Sequence, residues 1–394
     1  MALVYPILKL KAGKEPHLKN RHHAIFQTAV SVFPACEDGS IVEVQDSIGG
    51  FLCYATLNRK AYIAGRAIAF RKGDPLDQLE QQIRTSVELR RQFFSGGDTT
   101  AYRLVNAEGD AVPGIIADLY GSVLVLQLTT MGMDKLRPWV VEVMKKYVKC
   151  DAIFEKSAGP GRKKEGLEPV EGWIGKPGKE TVEVMERGLK FLISFSGSQK
   201  TGLFLDQREM RSLVRSLARG RTVLDCCSYV GGFSVSALKG GAIAADAVDY
   251  DKVAIDKAKQ HVQVNGADPK SFNGYAQDVF EFLRRKDLPR NYDFVILDPP
   301  AFAKRSTDLD RAKHAYTDLN RLGMEALKKG GFLLTCSCSY QVDIPLFQTI
   351  IFHAAQQSKK SVRILDRHRQ ALDHPVNIFH PEADYLKSLL LWVE

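Results

Sequence analysis

The 394-residue sequence lacks the patterns typical of several common protein classes. Its seven cysteines form no CxxC pair and no cluster with histidine at metal-ligand spacing, which argues against a disulfide framework and a metal site. No run approaches the roughly 18 apolar residues of a membrane span. The N-terminal segment places its apolar residues before its lysines, the reverse of a signal peptide. These absences predict a cytoplasmic protein with reduced thiols and no membrane partner.

The composition is that of a folded chain with an excess of positive charge. Hydrophobic residues make up 45% and charged residues 26%, which excludes collagen-like and wholly disordered chains. The 55 lysines and arginines exceed the 46 acidic residues, so the net charge is +9. This excess favours a polyanionic partner such as nucleic acid, although a basic surface can also simply aid solubility. The length indicates two or three domains.

Residues 1–73 are expected to form a small β-barrel. The runs IVEVQD, FLCYATL and AYIAGRAIAF have strand-like composition and are separated by turn residues. The preceding segment LKNRHHAIF carries a basic patch that consists of Lys19, Arg21, His22 and His23. This patch either contacts RNA or is a solvated loop.

A second domain is predicted over residues 74–187. Asp74 and Pro75 are typical of a helix start, and apolar residues at helical spacing follow them. Strands and one helix follow, and then a Gly/Pro-rich polar stretch that is interpreted as a loop. This stretch contains Arg162, Lys163 and Lys164, which either bind phosphates or are solvated.

Residues 188–394 alternate strand-like and helix-like segments, which predicts a doubly wound, mostly parallel sheet. Ligands bind such sheets at the carboxyl ends of the strands. The last run, YLKSLLLWVE, is expected to pair within this sheet, with a homodimer interface as the alternative.

The ends of the first three strands indicate a cofactor site. A Gly231-Gly232 turn follows the first strand, and Asp249 and Asp278 follow the next two, but no GxGxxG fingerprint is present. An adenosine-bearing ligand without a pyrophosphate fits these features, and S-adenosylmethionine is such a ligand. The aspartates are alternatively ordinary helix caps. The predicted site comprises Asp225, Ser228, Tyr229, Gly231, Gly232, Phe233, Asp249, Asp278, Val279 and Asp298.

Two further strand ends carry possible substrate-binding and catalytic groups. The fourth strand is followed by Asp298-Pro299-Pro300-Ala301-Phe302, in which the prolines are expected to expose Phe302 for stacking on an extruded base. The fifth strand ends with two cysteines, Cys336 and Cys338, which share one face of the strand. Periodicity does not choose between them, and a single cysteine here is more often a small core residue.

Several motifs in the same order resemble those of the RlmI-type 23S ribosomal RNA large-subunit (cytosine-5)-methyltransferases. They are LKNRHHAIF, YRLVNAEGDAVPGIIAD, RKKEGLE, SQKTGLFLDQREMR, LDCCSYVGGFSVSAL, DPPAF, LLTCSCS and DHPVNIFHPEADYLK. The resemblance covers nearly the whole chain. It implies an α/β protein with an N-terminal β-barrel PUA domain, a central α+β domain and a C-terminal Rossmann-like class I methyltransferase domain.

The resemblance also implies roles for particular residues. It assigns the nucleophile to Cys338 in the Ser-Cys-Ser motif, with Asp298 holding the base. Related RNA cytosine methyltransferases have a second cysteine where this chain has Pro300, so the proton acceptor is not identified. The Cys226-Cys227 pair departs from the family pattern and is assigned a packing role.

The remaining implied contacts are to the cofactor and to RNA. The residues implied for the cofactor pocket are Phe204, Gln207 and Arg208, and packing at a domain junction is the alternative for them. The substrate set consists of Pro299, Pro300, Phe302, Lys19, Arg21, Arg162, Lys163 and Lys164. The implied partner is 23S ribosomal RNA, naked or in an assembly intermediate.

Two other functions remain open on the sequence alone. DPP-aromatic motifs also occur in enzymes that methylate a guanine nitrogen, and these need no thiol. A non-catalytic, RNA-binding ribosome assembly factor is the second alternative, although the strand-end aspartates and Cys338 argue against it.

Overall fold

The computed structural model describes residues 4–196 and 202–394, which divide into two compact units. The first comprises the described residues within Met1–Arg187, Ile193–Leu205 and Leu372–Ala383. The second comprises Gly188–Leu192, Asp206–Ala371 and Asp384–Glu394. The segments Ile193–Leu205 and Leu372–Ala383 thus group with the first unit, whereas the sequence predicts a single domain over residues 188–394.

The segment 372–383 joins the first unit through buried polar contacts. Asp373 is fully buried, and its carboxylate accepts a hydrogen bond from the backbone N–H of Arg103 at 2.9 Å. The guanidinium of Arg90 donates to the carbonyl oxygen of Asp373, also at 2.9 Å. Buried polar groups require such partners, and spacing along the sequence does not reveal them.

The first sheet of the first unit has the strand order β2-β6-β5-β4-β1-β3. Its strands are β1 (Ile7–Leu10), β2 (Ala24–Phe26), β3 (Val30–Val32), β4 (Ile41–Gln45), β5 (Phe51–Leu57) and β6 (Ile63–Ala69), and the short helix α1 spans Pro16–Lys19. Burial alternates along β1 and β4, as expected for strands with one face on a core. These two strands pair in parallel, and the other pairs are antiparallel.

A second sheet and four helices complete the regular structure of the middle of the chain. The sheet has the order β11-β10-β9-β8-β7, and β12 pairs with β13 separately. The elements are α2 (Pro75–Phe93), β7 (Ala101–Asn106), β8 (Ile115–Tyr120), β9 (Val123–Leu128), α3 (Met131–Lys135), α4 (Arg137–Tyr147), β10 (Ala152–Ser157), α5 (Pro160–Lys164), β11 (Val170–Ile174), β12 (Thr181–Glu186) and β13 (Leu189–Ser194). The polar stretch that was interpreted as a loop therefore contains the short helix α5.

Helix α2 begins as predicted, and its buried face belongs to the hydrophobic core of the first unit. The Asp74 carboxylate accepts a hydrogen bond from the backbone N–H of Leu76 at 2.8 Å and so caps the helix. The buried residues Leu79 and Ile83 of α2 share one hydrophobic core with Ile68 of β6. The two sheets of the first unit are thus joined by common apolar packing.

The second unit is built on a seven-stranded sheet with the order β16-β15-β14-β17-β18-β20-β19. Its strands are β14 (Thr222–Cys226), β15 (Ala244–Asp249), β16 (Phe272–Ala276), β17 (Tyr292–Leu297), β18 (Leu327–Ser337), β19 (Val362–His368) and β20 (Lys387–Val393). Its helices are α6 (Arg208–Leu217), α7 (Gly232–Lys239), α8 (Lys252–Val264), α9 (Val279–Leu283), α10 (Leu309–Glu325) and α11 (Ile344–Ser358). Strands β14 to β18 pair in parallel, which confirms the predicted doubly wound sheet.

The final strand β20 pairs inside this sheet. It is antiparallel to both β18 and β19, so the expected intramolecular pairing of YLKSLLLWVE is confirmed. All six residues of β15 are buried, as is typical of parallel strands covered on both faces. Among the described residues, no helix combines the length and the apolar character that crossing a membrane requires.

Truncation of Leu391 tests the internal position of β20. Leu391 is fully buried opposite Leu333, whereas Leu365 on the neighbouring strand β19 is 51% exposed. We expect Leu391→Ala to lower the free energy of unfolding by about 2–5 kcal/mol, since it leaves a cavity in the core. Leu365→Ala should change it by less than about 1 kcal/mol. Urea denaturation of both variants checks this, and equal losses would contradict the assignment.

Candidate active site

Four aspartates converge on one thiol at the carboxyl edge of the second unit's sheet. Burial raises the pKa of Cys227 well above its usual value, and the charges of Asp249, Asp298, Asp225 and Asp278 raise it further, in that order. Residues at the ends of different strands therefore lie close enough to act on one group. A group of carboxylates at this edge favours a ligand with a cationic centre, such as a methylsulfonium.

Asp225 supports the turn that follows β14. Its Oδ2 accepts hydrogen bonds from the backbone N–H of Ser234 at 2.9 Å and from the Ser234 hydroxyl at 2.7 Å. The side chain is fully buried, and burial raises its pKa to about 6. Its Oδ1 has no hydrogen-bond partner among the described residues, so contact between Asp225 and the cofactor stays a prediction.

The turn itself depends on Gly231. This residue has φ +74°, and a Cβ at its position would lie 2.7 Å from the Cβ of Ala258. Cys227 and Tyr229 also adopt positive φ values, 59° and 49°, so the backbone is tightly coiled here. The hydroxyl of Ser228 is buried and has no hydrogen-bond partner among the described residues. A buried unpaired hydroxyl in such a turn fits a site that binds a polar ligand.

Asp249 and Asp278 both accept hydrogen bonds from backbone N–H groups that are nearby in the chain or in the fold. Asp249 accepts hydrogen bonds from the backbone N–H groups of Tyr229 at 2.8 Å and Asp251 at 3.0 Å, and so joins the turn to the end of β15. Asp278 caps α9 by accepting from the backbone N–H of Glu281 at 3.0 Å. The helix-cap alternative therefore describes Asp278, and its contact with an adenine remains a prediction.

The two cysteines at the end of β18 have different environments. Cys336 is fully buried, and burial raises its pKa well above the usual value. Cys338 is partly exposed, and its thiol donates a hydrogen bond to the carbonyl oxygen of Pro299 at 3.8 Å. Burial therefore separates two cysteines that periodicity could not, because only Cys338 of the pair is accessible to a substrate.

A hydroxyl network holds the backbone around Cys338. The Tyr316 hydroxyl on α10 lies 3.1 Å from the hydroxyl of Ser337 and 3.0 Å from that of Ser339. Ser339 Oγ also accepts a hydrogen bond from the backbone N–H of Ala303 at 3.1 Å. Tyr316 is not identifiable as part of this site from the sequence, because a tyrosine at helical spacing among apolar residues is typical of a core position.

Asp298 is hydrogen-bonded to Gln207, the residue that precedes α6. The Gln207 amide donates to Asp298 Oδ1 at 2.9 Å, so this predicted pair is adjacent. Arg208 is also buried, at the start of α6. Phe204 groups with the first unit, and residues 198–201 of the same motif lie outside the described residues.

Phe302 is less exposed than the sequence analysis expected. Its ring is half-buried, with its centroid 4.7 Å from that of Tyr316 and 6.3 Å from that of Phe280. Pro300 is exposed, whereas Pro299 is buried. Stacking of a base on Phe302 remains a prediction.

The basic residues of the first unit separate into internal and surface groups. Arg162 is 3% exposed, and its guanidinium donates to the Leu128 carbonyl oxygen and to Asp134 at 2.8 and 2.7 Å. The prediction that Arg162 contacts RNA is therefore corrected, because these internal partners occupy its donors. Lys163 and Lys164 are exposed.

The N-terminal basic patch has one exposed lysine and an arginine over an aromatic ring. Lys19 is exposed, with Nζ 3.7 Å from Glu15 Oε1. The guanidinium of Arg21 lies 5.7 Å from the ring centroid of Phe379. RNA binding by these residues remains a prediction.

His22, His380 and Glu382 form one further polar cluster in the first unit. One ligand-type atom from each lies within 4.8 Å of the others. His22 Nδ1 accepts a hydrogen bond from the backbone N–H of Ala24 at 3.2 Å, so the neutral ring carries its proton on Nε2. That nitrogen lies 3.3 Å from Glu382, within hydrogen-bonding distance.

Comparison with known families agrees with the fold and with the predicted cofactor. Residues 166–390 match the model of the S-adenosylmethionine-dependent methyltransferases, and residues 8–70 match that of a PUA-like domain. The fold and the strand-end site thus define a class I S-adenosylmethionine-dependent methyltransferase with an N-terminal PUA-like domain. The cofactor predicted from the strand ends is confirmed at this level.

Curated and structural relatives cover nearly the full length. The ribosomal RNA large subunit methyltransferase I of Alteromonas mediterranea is 36% identical over 97% of both chains. That of Erwinia tasmaniensis is 36% identical over 97% of this chain and 98% of its own. This chain therefore belongs to the family of the ribosomal RNA large subunit methyltransferases I.

Two solved structures have the same fold throughout. A candidate SAM-dependent methyltransferase from Streptococcus mutans has a TM-score of 0.83 and 25% identity, and covers 99% of this chain and 100% of its own. A candidate methyltransferase complexed with SAH has a TM-score of 0.84 at the same identity and coverage.

The buried carboxyl of Asp225 predicts a pH-dependent stability difference. Because its pKa in the folded state is about 6, above the unfolded value of 3.8, the folded state binds more protons between these pH values. The contribution of Asp225 to the free energy of unfolding therefore falls by roughly 3 kcal/mol as the pH rises from about 4 to 7. We expect Asp225→Asn, which cannot ionise, to gain stability relative to the wild type over that range. Urea denaturation at both pH values measures the difference, and a constant difference would contradict the raised pKa.

A second prediction concerns cofactor affinity and Gly231. We expect Gly231→Ala to weaken S-adenosylmethionine binding at least about tenfold, because strain and the clash with Ala258 distort the turn. Gly266→Ala is the matched control, since Gly266 has φ +67° and nothing within 4 Å of an added Cβ. Isothermal titration calorimetry compares them. Equal affinities for the two variants would show that the turn does not contribute.

Proposed function

We propose that this protein methylates carbon 5 of a cytosine in large-subunit ribosomal RNA, with Cys338 as the nucleophile and S-adenosylmethionine as the methyl donor. The names of the full-length relatives support ribosomal RNA as the substrate. The PUA-like domain and the exposed Lys163 and Lys164 supply surfaces for an RNA backbone. Binding through such residues weakens strongly as salt increases.

The observation that carries the proposal is the position of the Cys338 thiol. It is hydrogen-bonded to the carbonyl oxygen of Pro299, the residue that follows Asp298. The ends of β17 and β18 thus bring a carboxylate and a partly exposed thiol to the same edge of the sheet. Methylation of an exocyclic or ring nitrogen does not need a thiol at this position.

The chemistry explains why a thiol is required. Carbon 5 of cytosine is a weak nucleophile, and addition of the Cys338 thiolate to carbon 6 makes carbon 5 enamine-like. The cofactor supplies an electrophilic methyl group. Carbon 5 then carries both a methyl group and a proton. Loss of that proton to a base restores the double bond between carbons 5 and 6 and expels the Cys338 thiolate.

Asp298 is suited to hold the base during thiol addition. Its Oδ1 already accepts a hydrogen bond from the Gln207 amide, which fixes the orientation of the carboxylate. A fixed acceptor can bind the exocyclic amino group of cytosine, or share a proton with the ring nitrogen that gains electron density. Gln207 is in this arrangement a positioning residue for Asp298.

Replacement of Cys338 tests the proposal. With unmodified 23S ribosomal RNA and labelled S-adenosylmethionine, we expect the wild type to form 5-methylcytosine. Cys338→Ala should reduce the rate by roughly a thousandfold or more, because the covalent route is lost. Cys150→Ala removes another partly buried thiol, from the first unit, and should retain activity. Nucleoside mass spectrometry identifies the product.

Two outcomes would count against the proposal. A methylated guanosine that survives Cys338→Ala would assign the enzyme to nitrogen methylation and make Cys338 a packing residue. Absence of turnover by the wild type with naked RNA and with assembly intermediates would favour a non-catalytic assembly factor.

A further inference from the structure

Lys387 places a buried amino group beside the Cys338 segment. It is the first residue of β20, opposite Ser337 of β18 in the antiparallel register, and it is 6% exposed. Burial of an ammonium group costs free energy unless hydrogen bonds and neighbouring charges compensate for it. The hydrogen-bond partners and charges around Lys387 therefore indicate which group its amine acts on.

Two backbone carbonyl groups accept hydrogen bonds from Lys387. Nζ donates to the carbonyl oxygen of Ser339 at 2.7 Å and to that of Tyr385 at 2.8 Å. Carbonyl oxygens only accept, so both hydrogen bonds use N–H donors of the amine, of which an ammonium group has three. Ser339 directly follows Cys338, and its hydroxyl is held in the Tyr316 network. The charge is thus fixed against the backbone that carries the thiol.

The lysine and the thiol also interact electrostatically. Burial lowers the pKa of Lys387, and the charge of Cys338 is the largest of the effects that raise it, followed by those of Asp384 and Asp343. The interaction between two titrating groups is mutual. If the Cys338 thiolate stabilises the ammonium form of Lys387, that ammonium stabilises the thiolate equally.

The carboxylates that share these partners do not favour a thiolate. Asp298 raises the pKa of the neighbouring Cys336, as Cys338 also does, and Asp343 and Asp384 act on the same lysine, so we expect these carboxylates to oppose a negative sulfur. Tyr316 is neutral at physiological pH, because burial raises its pKa to about 12. A cation fixed beside the Cys338 segment opposes the effect of the carboxylates.

We propose that Lys387 is a positioning residue that holds the Ser337-Cys338-Ser339 segment and, through its fixed positive charge, promotes ionisation of the Cys338 thiol. This inference rests on the proposed function, in which Cys338 is the nucleophile. Lys387 is 49 residues from Cys338 in the chain, so no local sequence pattern links the two residues.

The pH dependence of Cys338 alkylation tests the charge. Iodoacetamide is applied to the full chain between pH 6 and 10 without RNA or cofactor, and peptide mass spectrometry quantifies modification of Cys338. Lys387→Gln keeps a hydrogen-bond donor but removes the charge, and we expect the midpoint to rise by about one pH unit. Lys329→Gln makes the same change at an exposed position on β18 and should leave the midpoint unchanged.

The outcomes separate the charge from a structural role. An unchanged midpoint in a folded Lys387→Gln protein, even with slower alkylation at every pH, would overturn the proposal. If that variant does not fold, the reciprocal measurement decides. NMR of ¹³Cε-labelled lysine reports the pKa of Lys387, which we expect Cys338→Ala to lower. An unchanged pKa of Lys387 would overturn the proposal.

Failure of the proposed function has a different signature. Formation of 5-methylcytosine by Cys338→Ala would remove the nucleophile assignment, while the alkylation midpoints would still report whether Lys387 and Cys338 interact. A raised midpoint in Lys387→Gln together with an inactive Cys338→Ala supports both statements.

Discussion

The parallel pairing of β14 with β17 is the constraint on which the site depends. It sets Cys226 opposite Leu297, and the ladder continues where the backbone N–H of Asp298 donates to the Cys226 carbonyl oxygen at 3.3 Å. Both strands leave the sheet at the same edge, so the turn after β14 lies beside the Asp298 motif. The positions of the strand-end aspartates and of the Cys338 thiol at the end of β18 follow from this geometry, because β18 pairs in parallel with β17.

Buried polar contacts then fix what the sheet brings together. Ser339 accepts from Ala303 and Lys387 and is held by Tyr316, so it connects the segment after β17, the helix α10 and the strand β20. Networks of this kind are costly when a partner is missing and rigid when all partners are present. The Cys338 thiol on such a frame keeps its position relative to Asp298, and the proposed covalent catalysis requires precise placement of this kind.

Local sequence patterns were misleading where a charged side chain turned inward. Arg162 lies in a basic, Gly/Pro-rich stretch typical of a solvated or RNA-binding loop, yet its partners Leu128 and Asp134 bury it. The pattern located a basic segment, and the direction of the Arg162 side chain depended on residues that are distant in the sequence.

The sequence by itself determined the alternation of strands and helices in residues 188–394 and the order of the strand-end motifs. Periodicity predicted the parallel sheet, the Asp74 cap is a contact within three residues, and Gly231 is required by its own backbone conformation. Only the tertiary structure decided that Cys336 is buried while Cys338 is accessible, and that Lys387 lies beside the latter. The reason is physical: propensities and caps act over a few residues, whereas burial and charge pairing depend on which distant segments the fold brings into contact.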